Sequence, residues 1–377
     1  MKKVIIIPDS FKGTMTSLEV MEIIKNRLSA YFNADALVTI PIADGGEGTV
    51  DCFMRFTDAV QVSATAAGPL MDPMTAHYAI FDDTAIIETA SVAGYALPPA
   101  SKTPLDTTTY GIGELIRDAI SRGCKKIILG LGGSCTNDAG AGLAAALGTK
   151  FMDQTGAAFI PTGKNLGAVQ QIDVSETRSL LSGIQVTGMC DVTNPLYGEH
   201  GAAKVFAPQK GASEQDVILL NEQLILFSQT IQQCLHIDVS TLKGSGAAGG
   251  IGAGIVAFLQ GRLLSGIDLI LDLVDFEKLL ESSGFVITGE GKLDSQSLDG
   301  KVISGIGRRA KKKQVPMVIV TGECEKGLTG LESLGIQAIF ETGKLDPAKP
   351  LPELLASCRV ALANTADVLG QYLRRNM

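Results

Sequence analysis

Two stretches near the end of the chain, Phe285-Val-Ile-Thr-Gly-Glu290 and Met317-Val-Ile-Val-Thr-Gly-Glu323, are apolar, β-branched runs that stop on the same Thr-Gly-Glu triplet. Residues 300–312 between them read as a helix, so the order is strand, helix, strand. Such a crossover joins parallel strands, and a parallel sheet must be covered on both faces. Val4–Ile7, cut short by Pro8, reads as a further buried strand of this kind. The next helix is signalled by Thr16 with Glu19, a capping box, and by Met21, Ile24, Leu28 and Tyr31 at helical spacing. Leu37–Ile42 and Ala338–Phe340 supply two more strands. Both ends of the chain therefore predict one open α/β sheet.

The middle follows another pattern. Val60–Thr65, Ala76–Phe81 and Ala85–Glu88 alternate in polarity and are separated by Gly68-Pro69, Asp72-Pro73 and Asp82-Asp83, as in meandering strands. Helices are expected at 108–121 and 214–234, and strands at Lys126–Leu129 and Ile184–Met189. The expected fold class is α/β in two domains. Residues 1–58 with 284–377 would form an open parallel sheet, and residues 59–283 an inserted domain with a mixed sheet.

Composition narrows the function. The chain has 377 residues, 45% hydrophobic and 19% charged, with a net charge of −8, which suits an acidic enzyme and not a nucleic-acid binder. The basic run Arg308 to Lys313 lies at a helix end, where cations favour the helix dipole. Seven cysteines lack CxxC spacing and the three histidines are scattered, so structural zinc is not expected and reduced thiols are. No apolar run reaches membrane-spanning length, so the expectation is a cytoplasmic protein without membrane or nucleic-acid partners. Monomer and homodimer are both compatible with the sequence.

Glycines and acids recur together beside the strands, at Asp44–Thr49, Gly130–Asp138, Gly244–Gly252 and Thr288–Asp294. Such bursts suit a site that wraps amides around an oxyanion and sets carboxylates near a bridging cation. No Walker A motif occurs. Gly244–Gly249 spells GxGxxG, with Asp268 some twenty residues on, but Leu235–Lys243 before it is a poor buried strand. Gly130, Gly132, Gly133, Ser134, Thr136 and Asn137 follow a strand and precede an alanine-rich helix at Ala139–Leu147, the arrangement of a phosphate-binding turn. Tight helix–sheet packing would use the same glycines. Asp9, Asp44, Glu47, Asp138, Asp191, Glu290 and Asp294 fall at strand ends; seven exceed what turn capping needs, and such carboxylates around phosphates point to Mg²⁺. Lys12 and Lys210 sit in glycine-bounded loops where they could hold anionic oxygens. His77 falls on an alternating strand and His200 in a loop. No GxSxG elbow or Cys–His pair is visible, whereas phosphoryl transfer needs what is here: amides, cations and a proton acceptor.

Read in order, Pro8–Gly13, Ala43–Thr49, Gly130–Asp138, Cys190–Leu196, Val205–Ala212, Gly244–Gly250 and Thr288–Gln296 with Gly300-Lys301 resemble the bacterial glycerate kinase family, class I. The resemblance spans residues 8 to about 301. It implies an ATP-dependent kinase for D-glycerate, with 2-phosphoglycerate the product usual in the family and 3-phosphoglycerate the alternative. It also implies two α/β domains, one flavodoxin-like, with the active site between them. On that reading the Gly130–Asn137 loop and Gly246, Gly249 and Gly250 hold ATP phosphates or shape the site around them. Some of Asp44, Asp191, Glu290 and Asp294 hold Mg²⁺, and Lys12 and Lys210 neutralise the glycerate carboxylate or the transferred group. Cys135 stands where the family usually has Ala, and Ala139 where Gly is common. An NAD-linked hydroxyacid dehydrogenase and a non-catalytic ligand-binding protein are the competing readings.

Asp191 is the preferred proton acceptor and Asp44 the second choice. Asp191→Asn should lower kcat by about 10²-fold or more in a steady-state assay, the usual scale for a positioned acid–base group. A near-wild-type kcat would remove Asp191 from that role.

Overall fold

The computed structural model describes residues 2–11, 13–42, 48–98, 102–294, 297, 301–343 and 350–377, without the side chains of Arg55, Phe56 and Lys301. In chain order the first strands are β1 (Lys3–Ile6), β2 (Leu37–Thr39), β3 (Val60–Ala67), β4 (Pro73–Phe81) and β5 (Thr84–Glu88). Next come β6 (Lys126–Gly130), β7 (Lys150–Met152), β8 (Ala158–Phe159), β9 (Gln171–Asp173) and β10 (Gln185–Met189). The last are β11 (Arg262–Leu264), β12 (Ser283–Leu293), β13 (Met317–Cys324) and β14 (Ile336–Glu341).

The chain divides into two compact units, residues 1–43 with 267–377 and residues 44–266. The sequence pattern drew these joints at 58/59 and 283/284; the compact units meet at 43/44 and 266/267. Packing accounts for the positions. The helix Thr49–Phe56 lies on β4 and β5, and its Val50 amide donates to Glu88 Oε1 at 2.8 Å. The helix Phe276–Glu281 packs on β12, and Arg309 pairs with Asp268, Asp272 and Glu277.

In the unit built from both chain ends, the sheet order is β14-β13-β12-β1-β2 and every pairing is parallel. Counted within this unit alone the order is 2-1-3-4-5, the flavodoxin-like arrangement. Val4, Ile5, Ile6 and Ile7 are all fully buried, as a central strand covered on both faces requires. Val4, Ile6, Phe285, Ile287, Val318 and Val320 pack with the helices Ser17–Leu28 and Leu351–Asn376. Alternate residues point to the opposite face, and the helix Lys301–Lys312 lies against β12 and β13. Right-handed crossovers demand this split, because β1 to β2 and β12 to β13 step in opposite directions across the sheet. The basic run at the end of helix Lys301–Lys312 is held within its own unit. Lys313 pairs with Glu281, and Lys311 donates to the carbonyls of Glu332 and Ser333.

The inserted unit has a six-stranded sheet of order β11-β10-β6-β5-β4-β3. β11, β10, β6 and β5 are parallel, while β4 and β3 run antiparallel at one edge, as the meandering middle segment predicts. A separate antiparallel sheet has the order β8-β7-β9. The helix Glu214–Leu235 begins at a full capping box of Ser213 and Asp216. Its Phe227 packs with Phe151 and Phe258, ring centroids 5.4 to 6.1 Å apart.

Gly289 marks the closest approach in the first unit's sheet: a Cβ there would lie 1.9 Å from the Val320 carbonyl oxygen on β13. Gly289→Ala should therefore lower stability by about 2–3 kcal/mol, the upper range for overpacking. A fall in the denaturant midpoint checks this, and an unchanged midpoint would refute it.

Candidate active site

The loop that leaves β6 is fastened at successive points. The Thr89 amide donates to the Gly130 carbonyl at 3.0 Å and the Leu131 amide to the Met189 carbonyl at 3.2 Å. Tyr95 donates to the Gly133 carbonyl, and the Cys135 amide to the Ala93 carbonyl at 2.7 Å. Gly132 and Gly133 are half-buried, whereas Ser134, Cys135, Thr136, Asn137 and Asp138 are buried. The loop thus shows its glycines to solvent and draws its polar side chains inward.

Asp138 is the anchor of that inward half. Its Oδ2 accepts from the Thr109 amide and Oγ1, both at 2.8 Å, and from the Gly142 amide at 3.2 Å; its Oδ1 accepts from the Gly140 amide at 3.2 Å. Thr109 Oγ1 also accepts from the Leu143 amide at 2.9 Å. Burial pushes the carboxyl pKa up, and these hydrogen bonds oppose the shift. The expected helix at Ala139–Leu147 is shorter, Ala141–Ala146, because Ala139 (φ +52°) and Gly140 (φ +72°) take the left-handed conformation. Its first amides are already occupied by Asp138 and Thr109, so this helix end is internally capped and does not offer its amides to a phosphate. The buried hydroxyls of the Thr107-Thr108-Thr109 run were missed as site residues. Three consecutive threonines just before a helix were the available signal.

Lys210 meets the same loop. It stands in the short helical turn Pro208–Lys210, which Gly211 (φ +88°) closes. Its buried Nζ donates to the Thr136 carbonyl at 2.7 Å and to Ser134 Oγ at 3.1 Å. Burial lowers its pKa to about 8, with Asp138 among the groups acting against that shift. The same burial pushes the Cys135 thiol up to about 11, so it stays protonated.

The second glycine burst packs against the first. Ala248, Gly249 and Gly250 are three successive left-handed residues inside Ala247–Ala257, and the Ala139 amide donates to the Gly249 carbonyl at 3.1 Å. A Cβ on Gly249 would lie 1.9 Å from the Thr136 carbonyl oxygen, and one on Gly246 would lie 2.2 Å from that of Pro195. At Gly250 the obstacle would be Ala139 Cα at 2.8 Å. The space these glycines leave is filled by the unit's own backbone. The GxGxxG reading fails on context, since residues 236–243 form no strand and Asp268 pairs with Arg309.

The carboxylates are divided between the units. Asp191 follows β10 in the inserted unit, half-exposed, with Oδ1 accepting from the Gly266 amide at 3.3 Å. Glu290 lies on β12 of the other unit, on the rim where Asp9 donates its amide to the Gly289 carbonyl. Asp294 turns locally: it accepts from the Ser297 amide at 3.2 Å and pairs with Lys292 at 3.5 Å. Burial would raise its pKa, but those partners outweigh it and the net shift is downward. Among the described residues no three His, Cys, Asp or Glu side chains gather as a metal-binding group. Lys12, Asp44, Glu47, Gly300 and the Lys301 side chain lie outside the described residues. His77 bonds Ser63 across β3 and β4, and the His200 carbonyl accepts from Asn194 Nδ2.

The profile of the glycerate kinase family matches residues 4–374. A glycerate kinase of Bacillus cereus is 42% identical over 341 residues, covering 90% of each chain. A glycerate 2-kinase of Escherichia coli K12 is 40% identical, covering 92% of this chain and 93% of its own. A crystal structure described as glycerate kinase 2 from Salmonella typhimurium LT2 superposes with a TM-score of 0.83 at 37% identity, over 99% of this chain and 98% of that one. No helix among the described residues is long and apolar enough to cross a membrane.

Lys210 has a measurable stability signature. Its folded pKa of about 8 lies below the ordinary 10.5, so the buried charge disfavours folding below pH 8 and is shed as pH rises. Between about pH 8 and 10.5 the wild type should gain stability relative to Lys210→Met, with a constant difference below pH 8. Denaturant unfolding of both proteins from pH 7 to 10.5 reads this difference, and parallel curves would mean that the lysine is not buried as described.

Proposed function

The chain belongs to the glycerate kinase family, and from that premise we propose that it transfers the γ-phosphoryl group of ATP to D-glycerate, giving 2-phospho-D-glycerate and ADP. The observation that carries the site assignment is the buried ammonium of Lys210 fixed on the glycine loop after β6. A cation at that position favours anionic oxygens. Gly132 and Gly133, the loop's half-buried stretch, are the part a phosphate can approach, whereas Gly130 is the buried last residue of β6.

Asp191 accepts the proton of the acceptor hydroxyl. Its position supports this role: it stands at the carboxyl end of a parallel strand, half-exposed, and the Gly266 amide orients one oxygen. The acceptor oxygen bonds to the γ-phosphorus as the bridging P–O bond to ADP breaks, and the carboxylate takes the proton late because the transition state is loose. Lys12 keeps the charge-neutralising role the family resemblance implies, and Asp44 stands second to Asp191 for the proton-acceptor role.

Mg²⁺ suits the donor chemistry of Asp191, Glu290, Asp294 and Asp44, all carboxylate oxygens. It usually takes only one or two carboxylates, with water and phosphate oxygens completing its shell, so a site with few carboxylates suits it and a full protein cage is not required. When bound it neutralises charge on the β- and γ-phosphates. The proposal also places the protein in the cytoplasm, which its seven free cysteines support.

ADP formation from ATP in the presence of Mg²⁺ should depend on D-glycerate, and NMR of the product should show phosphate on C2. No glycerate-dependent ADP would overturn the assignment, and a C3 phosphate would overturn its regiochemistry. NADH formation without ATP would favour a dehydrogenase instead.

A further inference from the structure

Asn137 is fully buried, and among the described residues neither its Oδ1 nor its Nδ2 has a hydrogen-bond partner. Thr136 beside it is equally buried, and its Oγ1 also has none among the described residues. Their neighbours are in the opposite condition. Asp138 is saturated by Thr109, Gly140 and Gly142, and Lys210 holds Ser134 and the Thr136 carbonyl. Unmet polar atoms at this depth are costly, which points to a partner that arrives with a ligand.

The chemistry of that partner follows from the amide. Nδ2 needs an acceptor and Oδ1 needs a donor. Ionised phosphate and carboxylate oxygens only accept, so a triphosphate would leave Oδ1 unmet. A hydroxyl both donates and accepts. An adenine edge does too, but a flat ring needs an apolar slot. Beside Asn137 the Lys210 ammonium holds the Thr136 carbonyl, and a Cβ on Gly249 would lie 2.8 Å from Asn137 Cα, so the backbone here is close-packed.

We propose, building on the glycerate kinase reading above, that Asn137, Thr136 and Lys210 form the acceptor subsite, Asn137 exchanging hydrogen bonds with a hydroxyl of the hydroxy acid while Thr136 Oγ1 and the Lys210 ammonium answer its carboxylate. This moves Thr136 and Asn137 from the nucleotide set, where the sequence motif puts them, to the acceptor. Gly132 and Gly133 remain with the phosphates. A carboxylate at this point also holds the lysine charged against its burial.

The test measures KM for D-glycerate and for ATP separately in wild type, Asn137→Ala and the near-isosteric Asn137→Asp. It adds inhibition constants for D-lactate, which lacks the C3 hydroxyl, and 3-hydroxypropanoate, which lacks the C2 hydroxyl. The expected result for Asn137→Ala is a rise of about 10- to 100-fold in KM for glycerate, the scale of one or two lost hydrogen bonds, with KM for ATP within about 2-fold. Wild type should prefer glycerate over one analogue by a similar factor, and the variant should lose that preference. If Asn137→Ala does not fold, Asn137→Asp carries the same comparison. A preference that persists in the variant overturns the proposal. So does a rise confined to ATP, or unchanged constants for both substrates, which would mean that an internal water satisfies the amide. Failure of the parent reading is distinct: wild type itself would then form no ADP with D-glycerate.

Discussion

The Asp138 carboxylate is fully buried, and the rim of the inserted unit is organised around the hydrogen bonds that make this tolerable. A buried carboxylate without partners would either protonate or unfold its surroundings. Satisfying this one takes the Thr109 amide and hydroxyl and two amides from the turn into helix Ala141–Ala146. To bring those amides inward, Ala139 and Gly140 turn left-handed, which shortens the helix. The position of Gly142 follows as well: a Cβ there would lie 2.0 Å from Thr108 Oγ1 and 2.9 Å from Asp138 Oδ2. One buried carboxyl group thus sets the conformation of the loop that carries Ser134, Thr136 and Asn137.

Lys210 complements that arrangement from the other side of the loop. It tethers the Thr136 carbonyl and Ser134 hydroxyl, while burial weakens its hold on its proton. The glycines from Gly244 to Gly250 then let a second backbone pass against the first, where any side chain would collide. The result is a packed wall in which Thr136 and Asn137 keep side-chain polar atoms without a hydrogen-bond partner among the described residues. The family's usual small residues at 135 and 139 make sense here. Cys135 is buried and protonated, and Ala139 holds a left-handed φ of +52° that Gly would adopt without strain.

The unit formed by the chain ends is simpler. Its five parallel strands carry Asp9 and Glu290 to one rim, and the neighbouring β1 and β12 are where the strand order reverses. Ligands of such sheets bind at that reversal. The two Thr-Gly-Glu copies are not equivalent there, since β12 is the central member and β13 lies one strand further out.

Local chemistry settled much of this in advance. The capping boxes at Thr16 and Ser213, the β-branched runs of β1, β12 and β13, and the alternation of β3 and β4 depend on spacing of two to four residues, so they are readable from the chain alone. The order and wording of the glycine–acid bursts likewise determined the family. What each burst does was decided only by contacts between segments distant in sequence. Asp138 and Asp191 look alike as acids after strands, yet Thr109 buries one while the other remains half-exposed. Gly132 and Gly249 look alike as loop glycines, yet the first faces solvent and the second is filled by Thr136. Burial and hydrogen-bond saturation are properties of neighbours, and neighbours thirty or a hundred residues away are assigned by the fold.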